Sequence, residues 1–272
     1  MSSTDKAVIL ARGLGTRMQR ADAQAALSEE QARAADAGHK AMMPIGRPFL
    51  DYLLSALADA GITQVCLVVP PDHEAIRNYY TVEAPPTRFT LSYAVQAEPR
   101  GTADAVLATR DFVGTDAFLV LNGDNYYPAD VLGALARAQA PACVGFDREA
   151  LVRLGNIDQE RIRRYALLRV DESGFLADIV EKPDPGDEAT FGLAAPVSMN
   201  VWLFGPEMLE VCAGVQPSAR GELELPHAVR DAIHRWGMRF RVIPARAGVL
   251  DLASRRDVAA VAAALKGVTV RL

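Results

Sequence analysis

The stretch Leu10-Ala11-Arg12-Gly13-Leu14-Gly15-Thr16-Arg17-Met18 comes directly at the end of a short apolar run, residues 8–11, that predicts a buried β-strand. Glycines after a strand let the backbone approach a phosphate closely, and successive backbone amides can surround anionic oxygens. Arg17 adds a planar, multidentate cation suited to a polyphosphate. The stretch therefore predicts a phosphate-binding turn after the first strand of an α/β fold.

The spacing of this turn argues against two better-known phosphate loops. A dinucleotide-binding turn needs a third glycine near Met18 and an acidic residue about twenty positions further on, and neither occurs in a suitable context. An ATPase-type loop needs Gly-Lys followed by Ser or Thr, which is also absent. A Rossmann oxidoreductase and a P-loop ATPase are therefore both disfavoured.

Apolar runs and helical patterns alternate along the first half of the chain. This alternation predicts a mostly parallel sheet covered by helices on both faces. The predicted strands are residues 8–11, 65–69, 89–95 and 117–121, and the predicted helices are residues 49–60, 74–80, 102–111 and 129–138.

The second half is less regular. It predicts two strands paired around the turn at residues 172–174, a strand at residues 197–204, and helices at residues 223–236 and 254–265. We expect one domain over residues 1–272, with a nucleotide-binding half at 1–140, a substrate-binding half at 141–272 and no appended C-terminal repeat domain.

Bulk properties exclude several classes of function. A net charge of −5 over 272 residues argues against a broad nucleic-acid-binding surface. The three cysteines are far apart, which predicts buried thiols rather than a disulfide framework or a zinc site. No apolar run is long enough for a signal segment or a membrane span, so we expect a cytoplasmic protein.

Residues 22–38 interrupt what would otherwise be a short loop after the glycine turn. Ser28-Glu29-Glu30-Gln31 predicts a capping box that starts a helix, and Gly38 a position where that helix stops. The insert is either a solvated surface helix or a lid over the nucleotide.

The stretch Gly13-Leu14-Gly15-Thr16-Arg17-Met18, followed later by Lys40, resembles the signature of the sugar nucleotidyltransferase (NDP-sugar pyrophosphorylase) family, and in particular its glucose-1-phosphate uridylyl- and thymidylyltransferases. The resemblance continues through further motifs over nearly the whole chain. It implies a Rossmann-like fold of the GT-A type with a small β-containing sugar-binding lobe. It also implies Mg²⁺-dependent transfer of a nucleotide to a sugar 1-phosphate with release of pyrophosphate.

The resemblance assigns residues to the nucleotide. Lys40 matches a lysine that contacts the triphosphate, although His39 stands where the family has proline, and Arg12 replaces a small residue. Gln96 and the following Gly-Thr-Ala-Asp resemble the base-recognition stretch; an amide offers a base edge both a donor and an acceptor. The implied nucleotide-binding residues are Leu10, Ala11, Arg12, Gly13, Gly15, Thr16, Arg17, Gln96, Gly101, Thr102 and Gly123.

Two aspartates match the family's metal ligands. Asp124 ends the apolar strand in Leu119-Val120-Leu121-Asn122-Gly123-Asp124, and Asp251 lies in Val249-Leu250-Asp251-Leu252. Mg²⁺ prefers hard oxygen ligands and often uses one or two carboxylates together with substrate phosphates. Asp251 departs from the family in its flanking residues, Leu250 and Ala253-Ser254.

The remaining motifs resemble the sugar-phosphate site. Glu181-Lys182-Pro183 matches a Glu-Lys-Pro in which the acid binds sugar hydroxyls and the lysine holds the sugar phosphate, with Gly155 and Asn200 also placed against the sugar. Gly221-Glu222-Leu223-Glu224-Leu225 resembles a conserved helix start and equally fits an acidic first helical turn. Arg17, Lys40, Asp124 and Lys182 are the implied catalytic residues.

The expected partners are a nucleoside triphosphate and a sugar 1-phosphate, with neither nucleic acid nor a membrane, and the resemblance allows a homo-oligomer. Two alternatives stay open at this point. The chain could transfer an adenylyl, cytidylyl or guanylyl group to another sugar or cyclitol phosphate. It could also be an inactive paralogue that senses nucleotides, although the presence of Arg17, Asp124, Lys182 and Asp251 together argues against this.

Overall fold

The structure of the protein is a computed structural model that describes residues 4–192 and 194–272. The strands are β1 Lys6–Leu10, β2 Gln64–Val69, β3 Thr90–Val95, β4 Phe118–Asn122, β5 Asn125–Tyr126, β6 Ala142–Phe146, β7 Leu167–Val170, β8 Leu176–Val180, β9 Trp202–Phe204, β10 Arg241–Ala245 and β11 Leu250–Asp251.

Helices cover both faces of the sheet that these strands form. They are α1 Thr16–Gln19, α2 Glu29–Asp36, α3 Phe49–Asp59, α4 Glu74–Asn78, α5 Thr102–Leu107, α6 Arg110–Val113, α7 Ala129–Ala136, α8 Arg148–Leu154, α9 Gln159–Ile162, α10 Pro185–Phe191, α11 Met208–Gly214, α12 Leu225–Trp236 and α13 Asp257–Leu265. Helix α4 continues into a wider π-type turn at Tyr79–Glu83.

Seven strands form the central sheet in the order β10-β6-β9-β4-β1-β2-β3. Only β9 runs antiparallel to its neighbours in this sheet, β4 and β6. The predicted mostly parallel sheet is therefore confirmed. Because the parallel strands end at one edge, the loops that follow them gather there, which is where ligands bind in open α/β sheets.

Successive side chains of β1 point to opposite faces of the sheet, which separates two apolar layers. Ala7 and Ile9 pack with α3 and α7 on one face, whereas Val8 packs with α5, α11 and α12 on the other. In the second layer Trp202 is fully buried, with its ring stacked on that of Phe204 at 5.8 Å between centroids. Both faces of the sheet are thus buried, and this explains the continuous apolar runs of the sequence.

The first half of the chain follows the sequence prediction closely. Strands β1 to β4 and helices α3, α5 and α7 lie within two residues of most of their predicted limits, although α5 ends at Leu107 and a separate α6 follows. The sheet itself continues through both parts of the chain, since β6, β9 and β10 come from beyond residue 140. The division into two ligand-binding halves stays a prediction.

The second half contains elements that the sequence did not predict. Strands β6 and β10 pair with each other in parallel, and helices α8 to α11 fill the connections. The predicted strand at residues 197–204 is shorter, because Asn200 has φ +52° and interrupts it before β9. The predicted pairing around residues 172–174 is confirmed as the β7–β8 hairpin.

The predicted acidic first turn at Gly221 to Leu225 is wrong. Helix α12 begins at Leu225, and no acidic residue lies in its first turn. The reason is that the backbone of Leu223 is engaged elsewhere: its N–H donates to Arg100 O at 2.7 Å, and its carbonyl accepts from Ala103 N at 2.8 Å. These bonds hold Leu223 against α5 in extended form.

The insert at residues 22–38 is a capped helix fixed to the protein. Ser28 and Gln31 form the predicted capping box reciprocally. The Gln31 amide donates to Pro44 O at 2.9 Å, and Arg255 and Arg256, just before α13, pair with Asp36 and Asp22. Its contacts are with the loop that carries Lys40 and with α13, so the insert is anchored at both ends.

The three cysteines are buried, as predicted. Burial raises the pKa of the Cys66 thiol to about 11 and that of Cys212 to about 12. Burial also raises the pKa of Cys143. All three thiols are therefore protonated and unreactive near neutral pH.

Gly15 and Gly237 have the same left-handed backbone but different surroundings. Gly15 has φ +62° and ψ +21°, and a Cβ there would lie 2.7 Å from the Cα of Gly38. Gly237 has φ +66° and ψ +20°, and a Cβ there would meet nothing within 4 Å.

We therefore expect Gly237→Ala to lower the free energy of unfolding by about 1 kcal/mol through backbone strain alone. Gly15→Ala should lower it by about 1–3 kcal/mol more because its methyl group displaces Gly38. Urea unfolding of both variants measures the difference. Equal effects would show that Gly38 does not pack on Gly15 in solution.

Candidate functional site

The glycine turn lies at the edge of the sheet where β1, β2 and β4 end. Ala11 N donates to Val68 O at 3.0 Å, and Gly123 N donates to Leu10 O at 3.0 Å. A Cβ on Gly123 would lie 3.1 Å from Leu10 O, so a larger residue would push the two loops apart. The predicted nucleotide residues Leu10, Ala11 and Gly123 are thus brought together.

Within the turn, Gly13 and Gly15 have different surroundings. Gly13 is exposed, and a Cβ there would meet nothing within 4 Å. Gly15 instead packs against Gly38, which places Lys40 close to the turn since Lys40 N donates to Gly38 O at 2.9 Å. Gly13 is therefore the glycine whose backbone is open to a ligand, and Gly15 the one that joins the turn to the lysine loop.

The side chains of the turn also differ in their surroundings. Thr16 and Arg17 are exposed at the start of α1. Arg12, whose direction the sequence left open, turns toward β3, where its Nε donates to Gln96 O at 3.3 Å. Arg12 therefore links the glycine turn to the loop after β3.

Lys40 and Asp124 form a direct ion pair. Lys40 Nζ lies 2.9 Å from Asp124 Oδ2, and their side chains are 13% and 30% exposed. Because both groups are partly buried, solvent screens this pair less than a pair on the surface. The predicted triphosphate lysine and the predicted metal ligand thus already contact each other.

Asp251 reaches the same place through a short antiparallel ladder. Strand β11 pairs with β5 so that Asp251 lies opposite Asn125, and Leu252 N donates to Asp124 O at 2.9 Å. Burial raises the pKa of the Asp251 carboxyl, and the negative charge of Asp124 raises it further. The two predicted metal ligands are therefore neighbours that repel each other.

Asp251 is held by residues that the sequence analysis did not identify. Arg161 Nη2 donates to Asp251 Oδ2 at 2.6 Å, and Tyr165 OH donates to the same oxygen at 2.7 Å. Arg161 also pairs with Asp257 at 2.6 Å, and the side chain of Asn156 accepts from Asp251 N at 2.8 Å. No short motif contains these residues, because they meet only after the ladder has formed.

Glu181 and Lys182 follow β8 as predicted. Lys182 has φ +51°, an uncommon backbone for a non-glycine residue that turns the chain sharply. Burial lowers the pKa of Lys182, and the nearby guanidiniums of Arg220 and Arg17 lower it further. The positive charges of Arg17 and Arg220 thus act in the same direction on Lys182.

Glu181 is the more buried member of this pair. Burial raises the pKa of its carboxyl, whereas the charges of Lys182 and Arg220 lower it. Arg220 in turn pairs with Glu222 at 3.2 Å and with Glu224. Arg220 and Glu222 belong to this cluster, and the Gly221-Glu222 motif could have pointed to them.

Asn200 lies beside the end of β4. Asn200 comes two residues before Trp202, which pairs with Val120 in the antiparallel register of β4 and β9. Its Oδ1 is buried and has no hydrogen-bond partner among the residues that the structure describes. A buried acceptor without a donor is unfavourable, and a ligand hydroxyl would supply one.

Gln96, Gly101 and Thr102 form an internal network. The Gln96 amide group is buried and donates to Asp104 Oδ2 at 2.7 Å and to Gly101 O at 3.0 Å. The space beside Gly101 is filled by Leu223, and Thr102 Oγ1 accepts from Leu225 N at 2.8 Å. Gly101 thus packs on the backbone of Leu223, and the base recognition that the resemblance implies for this stretch stays a prediction.

A different cavity borders Gln96. It has a volume of about 400 Å³ and is lined also by Glu98, Arg100 and Asp104. Its size falls within the range of small-molecule sites.

Gly155 is closely packed, and the sugar contact that the resemblance implies for it stays a prediction. A Cβ there would lie 2.5 Å from Val249 O and 2.7 Å from Leu151 O. The space that its missing side chain leaves is filled by the strand leading to Asp251, so Gly155 supports that strand.

Two further observations concern the described residues 4–192 and 194–272. None of their helices combines the length and the apolar character that crossing a bilayer requires. No three of their His, Cys, Asp or Glu side chains are grouped as a set of metal ligands.

The chain is similar in sequence to sugar-1-phosphate nucleotidyltransferases. A UTP–glucose-1-phosphate uridylyltransferase from Haloferax volcanii is 30% identical over 254 residues, which cover 93% of each chain. A glucose-1-phosphate thymidylyltransferase from Streptomyces griseus is 32% identical over 232 residues, 83% of this chain and 56% of the relative. The chain therefore spans about half the length of some relatives and nearly all of another.

Solved structures show the same fold. One described as UDP-glucose pyrophosphorylase complexed with UDP-glucose superimposes with a TM-score of 0.75 at 18% identity and covers 96% of this chain and 98% of its own. The family profile described as nucleotidyl transferase matches residues 6–249, which include every element from β1 to β10. The chain accordingly belongs to the nucleotidyl transferase family.

Proposed function

We propose that this protein joins a nucleoside triphosphate to a sugar 1-phosphate and releases pyrophosphate, most specifically by uridylyl or thymidylyl transfer to a hexose 1-phosphate. The observation that carries the proposal is the meeting of Asp124 and Asp251 with Lys40 at the edge where the glycine turn lies. The names of the two relatives support the choice of base and sugar.

The reaction is an in-line displacement. An oxygen of the sugar phosphate forms a bond to the α-phosphorus, and the bond from that phosphorus to the α–β bridging oxygen breaks. The electron pair leaves with pyrophosphate. Such reactions require positioning and charge stabilisation more than a covalent group. A phosphate monoester is largely ionised at neutral pH, so the attacking oxygen needs no strong base.

The residues divide between the two substrates. Backbone amides around Gly13, together with Arg17, would bind the triphosphate. Lys182 would hold the attacking phosphate of the sugar. Glu181 and the buried Oδ1 of Asn200 would accept hydrogen bonds from sugar hydroxyls.

The carboxylates at the β5–β11 ladder fit a divalent cation. The negative charge of Asp124 raises the pKa of the neighbouring Asp251 carboxyl. A cation between the two groups would stabilise both in their charged form. Asp124 and Asp251 supply the number of carboxylates that Mg²⁺ commonly takes from a protein when phosphates provide the rest. The ion would supply positive charge at the α-phosphate.

Lys40 must change partner in this reaction. Its Nζ is held by Asp124 in the present structure. A triphosphate offers it a greater negative charge, and a cation at Asp124 would compete with it for the carboxylate. Lys40 would thus move from the aspartate to the phosphates and stabilise the departing pyrophosphate. A cytoplasmic location and a homo-oligomer stay predictions.

The first test is a pyrophosphate-release assay with Mg²⁺ that crosses UTP, dTTP, ATP, CTP and GTP with hexose, hexosamine and cyclitol 1-phosphates. We expect one pair to dominate, and Asp124→Asn to lower its kcat/KM at least about 100-fold because a charged ligand is lost. Asp130→Asn is the matched control, because Asp130 is an exposed acid in the first turn of α7. Nucleotide binding without any turnover would replace the enzyme by a nucleotide sensor.

Gly13→Ala separates nucleotide binding from folding. A methyl group at Gly13 has free space and an ordinary φ, so the variant should unfold at the wild-type urea concentration. In the complex the same methyl would occupy the approach of the phosphates, and we expect KM for the triphosphate to rise about tenfold, equivalent to about 1.4 kcal/mol. An unchanged KM would place the triphosphate elsewhere.

Glu181 predicts a pH dependence of sugar binding. Because burial raises the pKa of its carboxyl, the carboxylate that accepts sugar hydroxyls is lost as pH falls through a value above that of an ordinary glutamate. KM for the sugar phosphate should therefore rise on acidification. Glu181→Gln should have a raised KM without this additional rise, and the substrate's own ionisation affects both proteins equally. Parallel pH profiles would exclude Glu181 from the sugar site.

A further inference from the structure

A cavity of about 440 Å³ opens between α8 and α9, in the connection from β6 to β7. Its lining includes Arg148, Val152, Arg153, Ile162 and Arg163. None of these residues belongs to the site described above. The volume is in the range of cavities that hold small molecules.

Arg148 is partly buried beside this cavity and has poor hydrogen-bond partners. Its side chain is 18% exposed, and both of its terminal nitrogens reach a single oxygen of Glu188 at 3.4 Å. Its Nε is buried and has no hydrogen-bond partner among the described residues. A buried donor without an acceptor is unfavourable by about 1–3 kcal/mol. An anion in the cavity would relieve this deficit.

Two further guanidiniums lie at the cavity. The side chains of Arg153 and Arg163 are exposed, and neither forms an ion pair with any residue that the structure describes. Glu149 also lines the cavity and Glu188 pairs with Arg148, so two carboxylates offset two of the three positive charges. The local excess of positive charge contrasts with the net charge of −5 on the whole chain. One guanidinium can bind two oxygens of a phosphate at once, and a phosphate monoester carries nearly two negative charges at neutral pH.

The remaining lining is apolar. Ile162 is 4% exposed and Val152 is half-buried. Together they offer hydrocarbon surface next to the arginines, so the cavity suits a ligand with a charged end and an apolar body better than a bare ion.

Helix α9 connects this cavity to Asp251. Ile162 and Arg163 border the cavity, whereas the preceding residue, Arg161, pairs with Asp251 and Asp257 at 2.6 Å. The helix has a single turn, so a shift of Ile162 moves Arg161 with it. We propose that the α8–α9 cavity binds a small phosphate monoester with an apolar group, and that its occupancy changes the position of Asp251 through α9. The second half of this statement rests on the proposed role of Asp251 as a metal ligand.

Binding is tested by calorimetric titration with phenyl phosphate, a monoester with an apolar group. The double variant Arg153→Gln/Arg163→Gln should bind it at least tenfold more weakly than the wild type. Arg164→Gln is the matched control, because Arg164 is also exposed and adjacent in sequence but does not line the cavity. Equal binding by all three proteins, or equal loss in the control, would overturn the site.

Two more ligands define the class. Inorganic phosphate should bind at least tenfold more weakly than phenyl phosphate, and benzyl alcohol should not bind. If inorganic phosphate binds as tightly as phenyl phosphate, the cavity is a site for free phosphate, and the proposal that it binds a phosphate monoester is wrong.

Coupling to Asp251 is tested by titrating Mn²⁺ and following its electron paramagnetic resonance, with and without saturating phenyl phosphate. Mn²⁺ affinity should change at least threefold in the wild type and remain constant in the double variant. Phenyl phosphate binding with unchanged Mn²⁺ affinity would overturn the coupling. Failure of Mn²⁺ to bind under any condition would contradict the metal role of Asp251, whereas the phenyl phosphate titration would still decide the site.

Discussion

The pairing of β11 with β5 is the contact on which the candidate site depends. It brings Asp251, near the end of the chain, beside Asp124 at the end of β4, and a single backbone bond from Leu252 to Asp124 fixes their separation. The ladder is only two residues long, and Gly155 lets the preceding strand pass close to α8. A short ladder suffices because Arg161 of α9 and Tyr165, which lies between α9 and β7, also hold the side chain of Asp251.

Charge balance is the second feature of the site. Each of the two carboxylates contacts a cation, Asp124 through Lys40 and Asp251 through Arg161. Buried charges are tolerated when they are paired, so this arrangement stabilises the site before any substrate is present. The two cations differ in how many carboxylates hold them. Arg161 is held by two acids, whereas Lys40 lies on a loop and has one carboxylate partner among the described residues.

Sequence reasoning succeeded where one local signal fixed one element. The glycine turn, the apolar strands of the first half and the capping box of α2 were all identifiable because their residues are adjacent in the chain. The resemblance to nucleotidyltransferases also pointed to Lys40 and Asp124, which the structure brings into direct contact. These are the parts in which local pattern and tertiary position agree.

The failures share a different physical cause. Arg161 and Tyr165 carry no motif, and their meeting with Asp251 depends on three separate elements. Leu223 is a good helix residue, yet its backbone is bonded to the loop at Arg100, so the helix begins later. The close packing of Gly101 on Leu223 and of Gly155 on Val249 is also a tertiary contact that the sequence did not reveal. Such long-range contacts leave no periodic trace in the sequence.

The contact between Gly15 and Gly38 bears on how this protein can vary. It closes residues 16–37 into a loop whose two ends, Gly15 and Gly38, are in contact. Loops of this kind tolerate changes of length because the entropy of closure grows only slowly with the number of residues. Related chains can therefore shorten, lengthen or replace the insert while the glycine turn and Lys40 keep their relative positions. The insert is a module that evolution can exchange without rebuilding the chemistry beside it.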